Sequence, residues 1–302
     1  MTYTEACQRF LLRCEANGRS ASTLVFYRNQ FRYYGDWLGE RDWLDEDRFF
    51  EYFAHLQRRV KAEEIQPESA EAAYRALSAL CNWLSAPSQQ RIPINPMRSV
   101  DRPHVPAKEP KRTSVDELRQ LLQSIKPVTW VDRRDRLIIL MLFWCALRVG
   151  ALSRVKVGDV DVASGSVRVG KDKGGPHYVP LLPVVKIEFT AYVYALPASA
   201  SDRLFVAADG HGNPLDHGLT ADGIRQMLER RSLAAGFSRR KNPHSFRHGI
   251  AMHLLNELGA DMAFISELLG HKDVKTTENF YAFWKATGLS RKYEKLIDGA
   301  GK

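Results

Sequence analysis

The 302-residue sequence predicts a mainly α-helical chain in two domains, with one small antiparallel sheet in the second. Three observations carry that prediction. Apolar residues recur at three- and four-residue spacing through most of the chain. Only the stretch 160–182 has the short alternating runs and glycine turns of hairpins. Six prolines between Ala86 and Arg112 exclude a regular helix there and so divide the chain.

The elements follow in order. Ala6, Phe10, Leu11 and Cys14 form one apolar face of a helix over 3–17. Ser20 to Thr23 supplies N-cap candidates for a helix over 24–38, which carries Phe26, Tyr27, Phe31, Tyr33, Tyr34 and Trp37. These aromatics read mainly as core, with Arg28 and Arg32 on the outer face. Two more helices are expected over 45–61 and 67–84, completing an N-terminal helical domain, 1–86. A proline-rich basic linker over 87–112 carries Arg91, Arg98, Arg102, Lys108, Lys111 and Arg112, charges suited to tracking phosphates. The second domain, 113–302, opens on Ser114-Val-Asp-Glu117, a helix start with acids in its first turn. Helices over 115–125 and 132–147 come next. Strands over 160–165, 166–169 and 177–182 join at turns 163–165 and 171–175. Helices over 184–196, 220–235, 243–258, 262–269 and about 277–287 complete the chain.

Composition narrows the function. Hydrophobic residues make up 44% and charged residues 26%, the usage of an ordinary globular protein rather than a disordered or collagenous one. The longest apolar run, 137–147, is too short to cross a bilayer, and the first residues lack the basic and apolar regions of a secretory signal. Cys7, Cys14, Cys81 and Cys145 form no C-x-x-C pair and read as core residues of a reduced, cytoplasmic protein. The net charge is +9, and the whole excess lies within 101–250. A basic band of this kind fits a polyanion, nucleic acid above all; the bland reading is a solubilising surface.

Three segments carry chemistry. Asn242 is a candidate N-cap and Pro243 suits the first helical position, which puts His244 and Arg247 on one face of a first helical turn. A helix N-terminus favours anions, and a guanidinium fork beside an imidazole makes a phosphate site. Arg148 is expected to close the apolar helix that precedes it. Gly270 is expected to stop the helix over 262–269, with His271 directly after it and Tyr281 on the next helix, capped by Thr276 or Thr277. Taken singly, each has a bland reading: a capping arginine, a surface His–Arg pair, a loop histidine, a core tyrosine. A zinc site from His244, His248 and His253 competes, but it lacks a cysteine or carboxylate at ligand spacing.

In combination these segments resemble the tyrosine recombinases, the phage integrase family, over nearly the whole chain. The resemblance rests on Ala146-Leu-Arg148-Val-Gly-Ala-Leu152, His244-Ser-Phe-Arg247, Leu269-Gly-His271 and Thr276-Thr-Glu-Asn-Phe-Tyr281, in the family's order and spacing, together with the Ser20-x-x-Thr23 start and the proline-rich linker. It implies a helical core-DNA-binding domain and an integrase-type catalytic domain closing on DNA as a C-shaped clamp. It also implies cleavage and rejoining of DNA through a 3′-phosphotyrosyl intermediate on Tyr281, with no ATP, metal or other cofactor. Arg148 and Arg247 would hold the phosphate, His244 would act as base and His271 would support the phosphate. The acid for the leaving oxygen would be a hairpin lysine, Lys173 or else Lys171, since the run to Val179-Pro-Leu181 is one residue short of the family's pattern. Ala151 stands where the family often has glutamate. The resemblance further implies double-stranded DNA as partner, a homotetramer in the synapse with self-association through the tail after Tyr281, no membrane, and a place in the cytoplasm on the nucleoid. DNA relaxation by the same chemistry, or a DNA-binding regulator that has lost catalysis, are the alternatives. Integration, dimer resolution and cassette exchange stay open.

Overall fold

The computed structural model describes residues 1–89, 91–106, 111–172, 175–198 and 201–270, and its contacts divide the chain into two units, Met1–Lys108 and Glu109–Lys302. The expected helix over 277–287 lies outside the described residues.

In the first unit four helices enclose one core: α1 (Tyr3–Ala16), α2 (Ala21–Leu38), α3 (Glu46–Lys61) and α4 (Pro67–Ser85). Their starts are set by local chemistry. Thr2 and Glu5 form a capping box on α1, Ser20 caps α2 through the Thr23 N–H, Asp45 caps α3, and Pro67 opens α4. Most of the aromatics turn inward. Tyr34 is buried, stacked on Phe49 at 5.2 Å and edge-on to Tyr52 at 4.9 Å, whereas Tyr33 stays exposed. The basic proline-rich stretch is not wholly extended. Ile92, Met97 and Val100 are buried in the same core, and the Arg91 N–H donates to the Leu84 carbonyl at 2.9 Å. Prolines exclude the helix there, but apolar residues between them still bind the chain to the helices.

The second unit is built around α6 (Trp130–Trp144), in which every residue from Leu137 to Phe143 is buried. A helix that is apolar all round must be enclosed, and α5 (Val115–Gln123), α8 (Pro183–Ala195) and α10 (Pro243–Asn256) all pack on it. The sheet orders as β1 (Val160–Asp161), β2 (Ser166–Asp172), β3 (Gly175–Pro180), all antiparallel. Val167 pairs with Val179 and both face the core, while Arg168 and Tyr178 pair on the outer face. A second hairpin, β4 (Val206–Ala208) and β5 (Pro214–Gly218), corrects the expectation of a single sheet. These strands are too short for their alternation to stand out in the sequence. The described residues of the unit also form helices α9 (Ala221–Ala234) and α11 (Met262–Leu268). The four cysteines are buried and unpaired, and burial pushes the Cys7 and Cys145 thiols up to about 12. Among the described residues no helix is long and apolar enough to cross a membrane.

A buried ion network ties α6 to α9 and β4. The Asp135 carboxylate is 2% exposed and accepts from Arg134 at 2.9 Å on one oxygen and from Arg231 at 2.9 Å on the other. Arg231 also reaches Asp132 at 2.7 Å, and Arg134 donates to the Val206 carbonyl at 2.9 Å. Removing the shared carboxylate leaves the buried Arg134 guanidinium without a counter-charge and takes one of Arg231's two carboxylates, a loss of about 3–5 kcal/mol. Asp135→Ala is therefore expected to lower the unfolding free energy of the second unit by that amount, read as a lower denaturant midpoint at unchanged slope. A loss well below about 1 kcal/mol would show that the network is worth no more than a surface pair.

Candidate active site

Helix α10 supplies the first two groups. Asn242 has the extended backbone of an N-cap (φ −82°, ψ 139°), and its side chain accepts from the His244 N–H at 3.0 Å. Pro243 follows at the first helical position. His244 is thus held on the exposed rim of the first turn. Arg247, one turn on, points inward and is 6% exposed.

Arg148 is not at the end of the preceding helix, as its sequence context suggests. The α6 helix stops at Trp144, and Arg148 is the N-cap residue of a one-turn helix, α7 (Val149–Leu152), with its carbonyl accepting from the Ala151 and Leu152 N–H groups at 2.9 Å. Ala146 between them takes φ +50°, a left-handed conformation unusual outside glycine. Its carbonyl accepts from Arg247 Nη1 at 2.6 Å. The sequence Cys145-Ala-Leu147 gives no sign of this break, which falls where a buried charged donor from another helix bonds the backbone.

Arg247 holds a third segment as well. Its Nη2 donates to the Leu269 carbonyl, the C-cap of α11. Gly270 then takes φ +57° and ends the helix, as expected of a C′ glycine. The imidazole of His177, on β3, lies against this turn: Nε2 stands 3.4 Å from the Leu268 carbonyl, and a Cβ on Gly270 would stand 3.3 Å from the ring. His177 carries a single signal in the sequence, a histidine that follows the hairpin turn.

The structure therefore brings Arg148, His244 and Arg247 together, along with the turn that leads to His271. Lys173, His271 and Tyr281 themselves lie outside the described residues. Lys171 is on β2 rather than in the turn, because the strand pairing continues to Asp172 and Gly175. Ala151, the departure from the family pattern, is buried in the core. His253 of the rival zinc set packs its ring on Trp144, 6.4 Å between centroids.

The electrostatics suit an anion. Partial burial lowers the His244 pKa below the ordinary histidine value, and the positive charges of Arg247, Arg148 and Arg225 lower it further. The ring is thereby kept neutral near pH 7, free to take a proton, beside two guanidinium groups that attract phosphate.

The sequence profile of the phage integrase family matches residues 111–286. A tyrosine recombinase XerC from Pelotomaculum thermopropionicum is 28% identical over 300 residues, covering 94% of this chain and 94% of that protein. The Tn1549 transposon integrase in complex with transposon right end DNA aligns at a TM-score of 0.72 and 17% identity, covering 97% of this chain and 99% of that one. A lambda integrase tetramer bound to a Holliday junction aligns at 0.69 and 19%, covering 90% and 78%. These last two likenesses are of fold.

His244 is expected to titrate below about 6.5, the ordinary histidine value, in a ring-proton NMR titration of the DNA-free protein. Arg225→Ala should move it upward. Since folding disfavours the cation, the residue's share of stability is present above the ordinary value and is lost as pH falls through the folded one. A midpoint at or above the ordinary value contradicts the assignment of three arginines around the ring.

Proposed function

The chain belongs to the phage integrase family, and on that premise we propose that it is a site-specific recombinase that cuts and rejoins double-stranded DNA with Tyr281 as nucleophile. The observation that carries the reading is the meeting of His244 and Arg247, from the start of α10, with Arg148, the N-cap residue of α7, the three groups a phosphodiester reaction needs on its anionic side.

The Tyr281 hydroxyl oxygen attacks phosphorus, and the bond from phosphorus to the 5′-oxygen breaks. His244 takes the phenolic proton, and the hairpin lysine, Lys173 or Lys171, gives one to the departing 5′-oxygen. The product is a 3′-phosphotyrosine and a free 5′-hydroxyl. The 5′-hydroxyl of a second strand reverses the step, so the phosphodiester bond is conserved and ATP is not consumed. Free tyrosine has a pKa near ~10, so its ionisation at pH 7 costs about 4 kcal/mol. A neutral base and two cations aimed at the phosphate lower that cost. His271 would donate to the phosphate.

The partners follow the same reading. Phosphate contacts from the basic middle of the chain give affinity that falls with salt. Four copies would hold two duplexes, with the residues after Tyr281 docking on a neighbouring copy. The protein would work on DNA in the cytoplasm, at the nucleoid.

The test is an SDS-resistant protein–DNA adduct, formed on DNA from the native locus and on a nicked suicide substrate. The native chain should form it, Tyr281→Phe should not, and Arg247→Ala should slow it by about 10²–10³-fold. An adduct on Tyr281→Phe, or none from the native chain on the nicked substrate, contradicts the reading.

A further inference from the structure

Thr113 lies near the start of the second unit and is bonded to Ser245, which stands between His244 and Arg247. It has no exposed surface. Its N–H donates to the Ser245 carbonyl at 2.8 Å, and its Oγ1 lies 2.8 Å from Ser245 Oγ. Ser245 Oγ in turn donates its only proton to the Asn242 carbonyl at 2.7 Å. A hydroxyl has one proton to give, so Thr113 must be the donor in the shared bond. The three residues thus form a directed chain, Thr113 to Ser245 to the N-cap residue of α10. The backbone lies so close that a Cβ on Gly249 would overlap the Thr113 carbonyl oxygen. A second tie flanks the first: Lys241, one residue before the N-cap, pairs with Glu117 on α5.

We propose that Thr113 is a positioning residue for the reaction: through Ser245 and the Asn242 cap it sets the first turn of α10, and with it the placement of His244 and Arg247 on the scissile phosphate. This rests on the recombinase reading above. The residues just before it are the exposed cations Lys111 and Arg112. The residue that directly follows the basic segment is therefore also the support beneath two site residues.

The test is single-turnover adduct formation on a nicked suicide substrate at saturating protein, with DNA affinity measured in parallel. Thr113→Val keeps shape and the backbone bond but removes the donor. It should form adduct about fivefold more slowly, the rate equivalent of one neutral hydrogen bond, with DNA affinity unchanged. Thr113→Ser restores the donor and should restore the rate. The acid limb of the pH–rate profile should move to higher pH in Thr113→Val. A loosened first turn withdraws His244 from the cations that face it, Arg247 on its own helix, Arg148 before α7 and Arg225 on α9, with His248 stacked beside it. A native rate in Thr113→Val, or a Thr113→Ser variant as slow as Thr113→Val, would overturn the proposal. No adduct from the native chain would instead overturn the assignment of Tyr281, so the two failures are distinct.

Discussion

The second unit turns on one buried guanidinium. Arg247 cannot be hidden from water without acceptors, and two of them are main-chain carbonyls from segments far away in sequence, Ala146 and Leu269. Each is a carbonyl at a place where a helix has just ended, so the charge completes backbone groups that have no partner within their own helices. The same bonds join the two places where helices end. Ala146 is held left-handed, α6 stops, and the chain restarts at Arg148. On the other side α11 stops at Leu269 and Gly270 turns toward His271. One side chain thus sets the relative placement of three sequence boxes spread over more than a hundred residues.

This arrangement also divides labour between neighbouring groups. Arg247 is inward and structural on two of its donors. His244, one turn earlier, is outward and kept neutral by the cations around it. Arg148 begins a helix and so adds its charge beside a second N-terminus. A phosphate placed there would meet positive charge from the side chains and from the N-terminus of α10 together, while the imidazole remains able to accept a proton. Burial of the site's supports, in the form of Thr113, Ser245 and Ala151, keeps these positions rigid.

Much of this was legible in the sequence, because most helices announce themselves by period and by caps. Ser20, Ser114 and Asn242 all sit at helix starts, and Gly270 ends α11. His244 and Arg247 were placed on one turn by Asn242-Pro243 alone. What local pattern could not show is tertiary. Cys145-Ala-Leu147 has helical propensity, yet the helix breaks there, where Arg247 bonds the Ala146 carbonyl. Ile92, Met97 and Val100 return to the first core despite the prolines around them. The β4–β5 hairpin has too few residues for alternation, and Thr113 gains its role only where α10 crosses it.

The central claim, that Arg247 joins the three boxes, is tested most directly by amide hydrogen exchange on Arg247→Ala against the native chain. Exchange should quicken together at residues 145–149 and at 268–270, while the amides of α1 to α4 in the first unit remain as protected as before. Unchanged protection at either of the two segments would mean that the turn beside Arg148, or the turn before His271, holds its shape without the guanidinium.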